Sequence, residues 1–206
     1  MLSHFLIALL LSFVGSLPFG MINMTVAHAA IRRGLKYALW AAAGAAIVEL
    51  MQVFVALKFA WYFTENTEVE QAFQAIAAVV FFAAGTYFFF FAKAGPAFRE
   101  QDFDGQRRGH AFLKGMFISS LNLMVIPYWI FYGTLLTANG LLKGDNPHLI
   151  VFSAGTMFGT FSLLVCYALL GARILSKSEL VTSWVNKFIG ALLFAFGGYQ
   201  LVELLG

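Results

Sequence analysis

The sequence predicts an all-α membrane protein: six transmembrane helices laid out as a 3+3 inverted repeat, with helices one and four broken. Three observations carry this expectation. Hydrophobic residues make up 61% of the 206 positions and charged residues only 11%, and mean hydropathy is +0.81. That is more apolar surface than a water-soluble domain of this size can hide. Six apolar runs, at about 5–27, 37–63, 72–92, 112–137, 149–171 and 184–205, are each long enough to cross ~30 Å of hydrocarbon as a helix. Finally, runs one and four, and runs three and six, share short matching segments in the same order. No polar stretch is long enough for a separate soluble domain, so residues 1–206 read as one transmembrane domain with pseudo-repeats at about 1–93 and 112–206.

Run one carries its own interruption, Gly15-Ser16-Leu17-Pro18-Phe19-Gly20-Met21-Ile22-Asn23. Pro18 lacks an amide hydrogen and clashes one turn back, and Gly15 and Gly20 loosen the chain on either side. In hydrocarbon the freed carbonyls need partners, so such a break survives only against protein or a wet cavity. A plain proline kink for packing is the simpler reading; a binding site built on a broken helix is the functional one. Ala27-His28-Ala29 has the small-x-small form of a signal-cleavage site. However, residues 1–4 hold no Lys or Arg and the run exceeds a signal core, so a retained first helix is expected.

Run two contains a lone acid, Glu49, in Ala41-Ala42-Ala43-Gly44-Ala45-Ala46-Ile47-Val48-Glu49-Leu50-Met51-Gln52. An ionised acid at the bilayer centre costs ~2.5–3.5 kcal/mol on insertion scales, so it must face the bundle interior, pair, or be protonated. Burial favours the neutral acid and a neighbouring ammonium group favours the ionised one. That competition lets one carboxylate exchange a proton for a cationic group. The alternative is that Glu49 joins helices purely by hydrogen bonding, with Gln52 three residues on in the same network. Lys58 and Glu203 lie near run ends, where they can reach water.

Run four matches run one: Phe13-Val14-Gly15-Ser16-Leu17-Pro18 aligns with Phe117-Ile118-Ser119-Ser120-Leu121-Asn122, and in that register Asn23 meets Pro127. One half reads Pro then Asn, the other Asn then Pro. Runs three and six match as Phe82-Ala83-Ala84-Gly85-Thr86-Tyr87 against Phe194-Ala195-Phe196-Gly197-Gly198-Tyr199. Three spans per half make the second copy enter the membrane upside down. Interrupted helices in corresponding places then mark the substrate site of a secondary transporter, here around Pro18 and Pro127. In run five Gly155 answers Gly44 and Thr160 answers Glu49, giving a site with one acid and one hydroxyl.

Tyr128, Trp129 and Tyr132 follow the second break. Their faces suit an ammonium group, and they suit ordinary packing equally well. Gly155-Thr156-Met157-Phe158-Gly159 predicts close helix approach, within the bundle or at the seam of a homodimer. Cys166 is the only cysteine and reads as a small packing residue. His4, His28, His110 and His148 are scattered without metal-ligand spacing, and no metal or cofactor is expected. There is no Ser/His/Asp arrangement, phosphate loop or ATP-binding motif, so an enzyme or an ATP-driven pump is not expected.

Orientation follows from the loops. Arg32, Arg33 and Lys36 follow run one; Lys93, Arg99, Arg107, Arg108 and Lys114 follow run three; Arg173, Lys177 and Lys187 follow run five. Short loops rich in Lys and Arg stay cytoplasmic, which puts both termini outside, in the periplasm for a bacterial inner membrane. The basic residues sit in short loops between spans, so the pI near 9.1 does not signal nucleic acid. The partners expected are a small-molecule substrate, protons and lipid.

These residues carry a resemblance over nearly the whole length. The chain resembles the LysE family of amino-acid exporters, including the homoserine/threonine branch. That family has a Pro-Gly-Pro-like break in its first helix, here Pro18-Phe19-Gly20, then a basic loop, here Arg32-Arg33-Gly34. Its Gly-x-x-x-x-Asp pattern falls on Gly44 and Glu49, its Asn-Pro on Asn122-Leu123, and its last Gly-rich segment on Gly190 to Tyr199. Phe19 stands for a glycine, Gly20 for a proline, Leu123 for a proline, Met124 for a lysine, and Glu49 for the shorter Asp. The resemblance implies proton-coupled export of a small amino acid or related metabolite, with Glu49 taking the proton. Pro18, Gly20, Asn23, Glu49, Asn122, Pro127, Trp129 and Thr160 are the expected substrate-site residues. A metal-cation transporter on the same scaffold and a membrane scaffold without transport are the alternatives.

Overall fold

The computed structural model describes residues 1–17, 20–64, 75, 78–79, 81–83, 85–91, 108–122, 124–175, 187, 190–191, 193–199 and 201–202. Among them all regular structure is helical. In chain order its named elements are α1 (Leu2–Gly15), α2 (Met21–Arg33), α3 (Leu35–Thr64), a π-helical turn (Tyr87–Phe91), α4 (Arg108–Ser120), α5 (Val125–Ala138) and α6 (Asn146–Leu175), with further helical residues at 75, 78–79, 81–83, 85–86, 187, 190–191, 193–199 and 201–202.

Runs two and five become the two long helices, α3 and α6, of 30 residues each. Neither run has a proline in its interior. Pro147 is the second residue of α6, where a missing amide hydrogen removes no intrahelical bond. Leu35–Tyr62 and Asn146–Gly171 are each long and apolar enough to cross a membrane. Runs three and six are described in separate pieces.

Runs one and four are each split into two short helices. In α1 the chain tightens before the gap: the Ser16 amide donates to Ser12 O at 2.9 Å and the Leu17 amide to Val14 O at 3.2 Å. Pro18 itself lies outside the described residues. The chain resumes at Gly20, which starts α2 in an extended conformation. In run four the Asn122 amide donates to Ser119 O at 3.0 Å, closing α4, and α5 begins at Val125. The two halves meet at 66°, and together they qualify as a third span.

This corrects one expectation. The second break lies between the end of α4 at Ser120 and the start of α5 at Val125, not around Pro127, which is the third residue of α5. The first four amides of a helix have no intrahelical acceptor, so a proline there starts a helix at no cost.

α1 lies along α6, α4 and α5 lie along α3, and α2 fits between α3 and α6. The close approaches are made by glycines whose missing side chain admits a facing backbone. Gly155 and Gly159 of α6 receive the Phe5 and Leu9 carbonyls of α1, and Gly44 of α3 receives the Phe112 carbonyl of α4. The GxxxG segment is therefore a seam within the chain. One core forms where α3, α5 and α6 converge, from Val53, Leu57, Trp129, Ile130, Leu149 and Phe152; another, from Val26, Ala38, Ala42, Ala45 and Leu164, joins α2, α3 and α6.

Candidate functional site

Glu49 sits midway along α3 on the stripe that also carries Ala42, Ala45, Val53 and Ala56, all buried. The spacing of three and four residues puts the acid on the face that meets the other helices. Glu49 is 8% exposed, with its carboxyl turned into the protein. Its Oε1 accepts a hydrogen bond from the Ser12 hydroxyl of α1 at 3.3 Å. Ser12 Oγ in turn lies 2.6 Å from Thr160 Oγ1 of α6, and Thr160 Oγ1 lies 3.4 Å from Ser16 Oγ. Three helices thus each contribute a polar side chain to one buried junction: Ser12, Glu49 and Thr160.

Each hydroxyl has one proton to give. Where Ser12 donates to the carboxylate it accepts from Thr160, and Thr160 then accepts from Ser16, so these bonds run from Ser16 to Thr160 to Ser12 to Glu49. Thr160 also reaches the Glu49 carboxyl itself. Tyr128, from α5, stands near enough to feel the charge of Glu49, and its hydroxyl donates to Leu11 O at 3.3 Å.

The chain of polar contacts continues to the first break. Ser16 O, where α1 has ended, accepts from Asn23 Nδ2 at 2.8 Å. Leu17 O accepts from the Tyr167 hydroxyl of α6 at 2.7 Å. Exposed carbonyls at membrane depth must be met by protein or water, and here two side chains meet them. The two resumed helices begin openly: neither Gly20, ahead of α2, nor Met124, ahead of α5, has a side-chain capping bond. The positive end of a helix dipole lies at each start, and in α5 the Val125 amide donates to Asn122 O at 3.4 Å.

The structure brings together Glu49 and Thr160, and links Asn23 to them through Ser16. Gly20 is exposed at the start of α2, with open space where a Cβ would stand. Asn122 is half-buried between α4 and α5, and Pro127 is half-buried one turn on. Trp129 is enclosed at 1% exposure, edge-to-face on Phe152 at 5.6 Å, as a core residue. Its neighbours Tyr128 and Tyr132 lie 4.7 Å apart, centre to centre.

Ser12, Ser16 and Tyr167 are the site residues that sequence reasoning did not single out. The one available signal was the four-residue spacing of Ser12 and Ser16, which puts both on one helix face ahead of Pro18.

A family model described as LysE type translocator matches residues 13–204, a stretch that covers both breaks and Glu49. No curated protein and no solved structure matched the chain.

Proposed function

We propose that this chain, which belongs to the LysE type translocator family, exports a small amino acid or related metabolite across the bacterial cytoplasmic membrane. Proton entry through Glu49 would drive it. The observation that carries this reading is the enclosure of the Glu49 carboxyl between α1, α3 and α6, next to a broken helix. A lone acid held away from lipid, with hydroxyls as its hydrogen-bond partners, is free to trade its proton for a cation. In this reading Glu49 meets the ammonium end of the substrate. The uncapped amides at the starts of α2 and α5, near Pro18, Gly20 and Asn122, meet the carboxylate, because helix N-termini favour anions. Asn23 and Tyr167 hold the first break open in shape, Thr160 orients Ser12 against Glu49, Pro127 fixes the first turn of α5, and Trp129 packs behind the tyrosines.

The domain is read as six spans in two inverted halves, about 1–93 and 112–206, with both termini periplasmic. Two sets of contacts support the duplication. Gly44 of the first half takes the backbone of Phe112 in the second; Gly155, its counterpart, takes Phe5 and Ala8 in the first. Likewise, a Cβ at Gly85 would meet the Phe194 ring at 3.2 Å, and one at Gly197 would meet the Phe82 ring at 3.1 Å. Each contact is repeated with the halves exchanged, as a pseudo-two-fold axis requires.

The test is transport in liposomes. Parent protein and Glu49→Gln are reconstituted side by side, a pH gradient is imposed, and flux of a panel of radiolabelled amino acids is followed. The expected outcome is gradient-driven flux in the parent and loss of its proton dependence in the variant. Equal flux with equal proton dependence would overturn the mechanism.

A further inference from the structure

Enclosure rises from Ser16 through Thr160 to Ser12, and the series ends at Glu49, which is 8% exposed. Ser16 is half-buried, next to the exposed Leu17; Thr160 is 3% exposed, and Ser12 is 1% exposed. The links are 3.4, 2.6 and 3.3 Å. Ser12 belongs to α1, Ser16 follows its last residue, and Thr160 belongs to α6, so no single helix explains their alignment. Hydroxyls buried in apolar helices usually bond back to their own carbonyls, as Ser153 and Thr156 do here. Ser12 and Thr160 bond across helices instead.

We infer that Ser16, Thr160 and Ser12 form a proton relay connecting Glu49 to water at the break in the first span. The step balances without a further reactant. A hydronium ion at the break gives a proton to Ser16 Oγ. Ser16 passes its own to Thr160 Oγ1, Thr160 passes its own to Ser12 Oγ, and Ser12 passes its own to Glu49 Oε1. Each hydroxyl ends with one proton, the carboxylate becomes the acid, and the hydrogen bonds now point outward, from Glu49 to Ser12 to Thr160 to Ser16. Release runs the same path backwards. The other groups near the carboxyl do not offer this exchange. The Tyr128 hydroxyl is engaged with Leu11 O, and the Gln52 oxygen, one turn along α3, is buried without a hydrogen-bond partner.

The relay rests on the proposed role of Glu49 as the proton carrier, and its test is kept separate from transport. Reconstituted protein is followed by time-resolved infrared spectroscopy after a pH jump. The protonated-carboxyl band of Glu49 is identified by its loss in Glu49→Gln. Parent, Thr160→Val, Thr160→Ser and Ser16→Ala are compared, with no solute but buffer.

Removing a link should slow appearance of the band roughly tenfold or more in Thr160→Val and in Ser16→Ala, the scale on which a lost proton donor acts. Thr160→Ser, which restores the hydroxyl, should recover the parent rate. Ser16 is half-buried, so Ser16→Ala tests the path without disturbing the core. A band that appears at the parent rate in both Thr160→Val and Ser16→Ala overturns the relay. Slow protonation in those variants, together with no amino-acid flux in the parent, would instead retain the relay and reject the exporter.

Discussion

Gly44 of α3 lies against the main-chain carbonyl of Phe112 in α4, so closely that a Cβ at Gly44 would occupy the carbonyl's place. The same is true of Gly155 against Phe5. A backbone facing a glycine cannot rotate aside as a flexible side chain would. Association in lipid depends on this close packing, since lipid is as apolar as the helices.

Gly44→Ala and Gly155→Ala should therefore each destabilise the protein by about 1–3 kcal/mol, the usual cost of overpacking a tight contact. Gly109→Ala is the control: it lies in α4 with nothing within 4 Å of an added Cβ. It should be neutral or gain up to about 1 kcal/mol from a less flexible unfolded chain. Thermal unfolding of the three variants in one detergent checks the contrast. Equal melting temperatures would contradict the packing argument.

The loop ahead of α6 supplies a pH dependence. His148 Nδ1 lies 2.6 Å from Asp145 Oδ1 and 2.7 Å from Oδ2, and this hydrogen bond, before the smaller effects of charge, holds the aspartate below its ordinary value. A carboxyl whose folded value is depressed adds stability above its unfolded value and loses it as pH falls through the folded one. Asp145→Asn should thus remove part of the acid-limb loss of stability as pH falls from about 5 to below 4. Melting temperatures of parent and variant across that range should converge toward the acid end. The group is fully exposed, so the effect is small.

Much of this was legible in the sequence, and the reason differs from element to element. α3 and α6 follow from runs without an interior proline, where lipid leaves helix as the only solution. The buried position of Glu49 follows from the cost of an exposed charge in hydrocarbon. Pro127 has the look of a breaker in the sequence, while its effect depends on where the helix starts. The GxxxG motif named a close approach but not its partner, which is set by α1, more than 140 positions away. Ser12 gives no signal in the sequence, because one serine in an apolar run commonly bonds its own backbone. Its pairing with Thr160 spans 148 positions, and no local pattern encodes it.

Gln52 carries a buried amide oxygen without a hydrogen-bond partner. An unpaired buried acceptor costs about 1–3 kcal/mol, and an apolar side chain of similar shape removes that cost. Gln52→Met should therefore raise the melting temperature by about 2–4 °C for each kcal/mol recovered in a chain of this length. A fall in melting temperature would mean that the amide oxygen is satisfied in the working protein, and would point to a bound water or solute beside Glu49.

The first break offers the sharpest test of how a span is interrupted in lipid. Ser16 O and Leu17 O face a gap in the helix ladder, and Asn23 and Tyr167 donate to them. Tyr167→Phe and Asn23→Ala each strand one carbonyl, at a cost of about 0.6–1.7 kcal/mol by the scale of interhelical hydrogen bonds in membranes. The two donors also hydrogen-bond each other, so the double variant should cost less than the sum of the singles, with a coupling of about 0.5 kcal/mol or more. The loss should be local. Amide hydrogen exchange at Ser16, Leu17 and the first turn of α2 should speed up, while exchange in the middle of α3 should not. If both regions speed up equally, the break is not a distinct unit held by these side chains. If neither changes, water already satisfies the carbonyls, and the two side chains are there for packing alone.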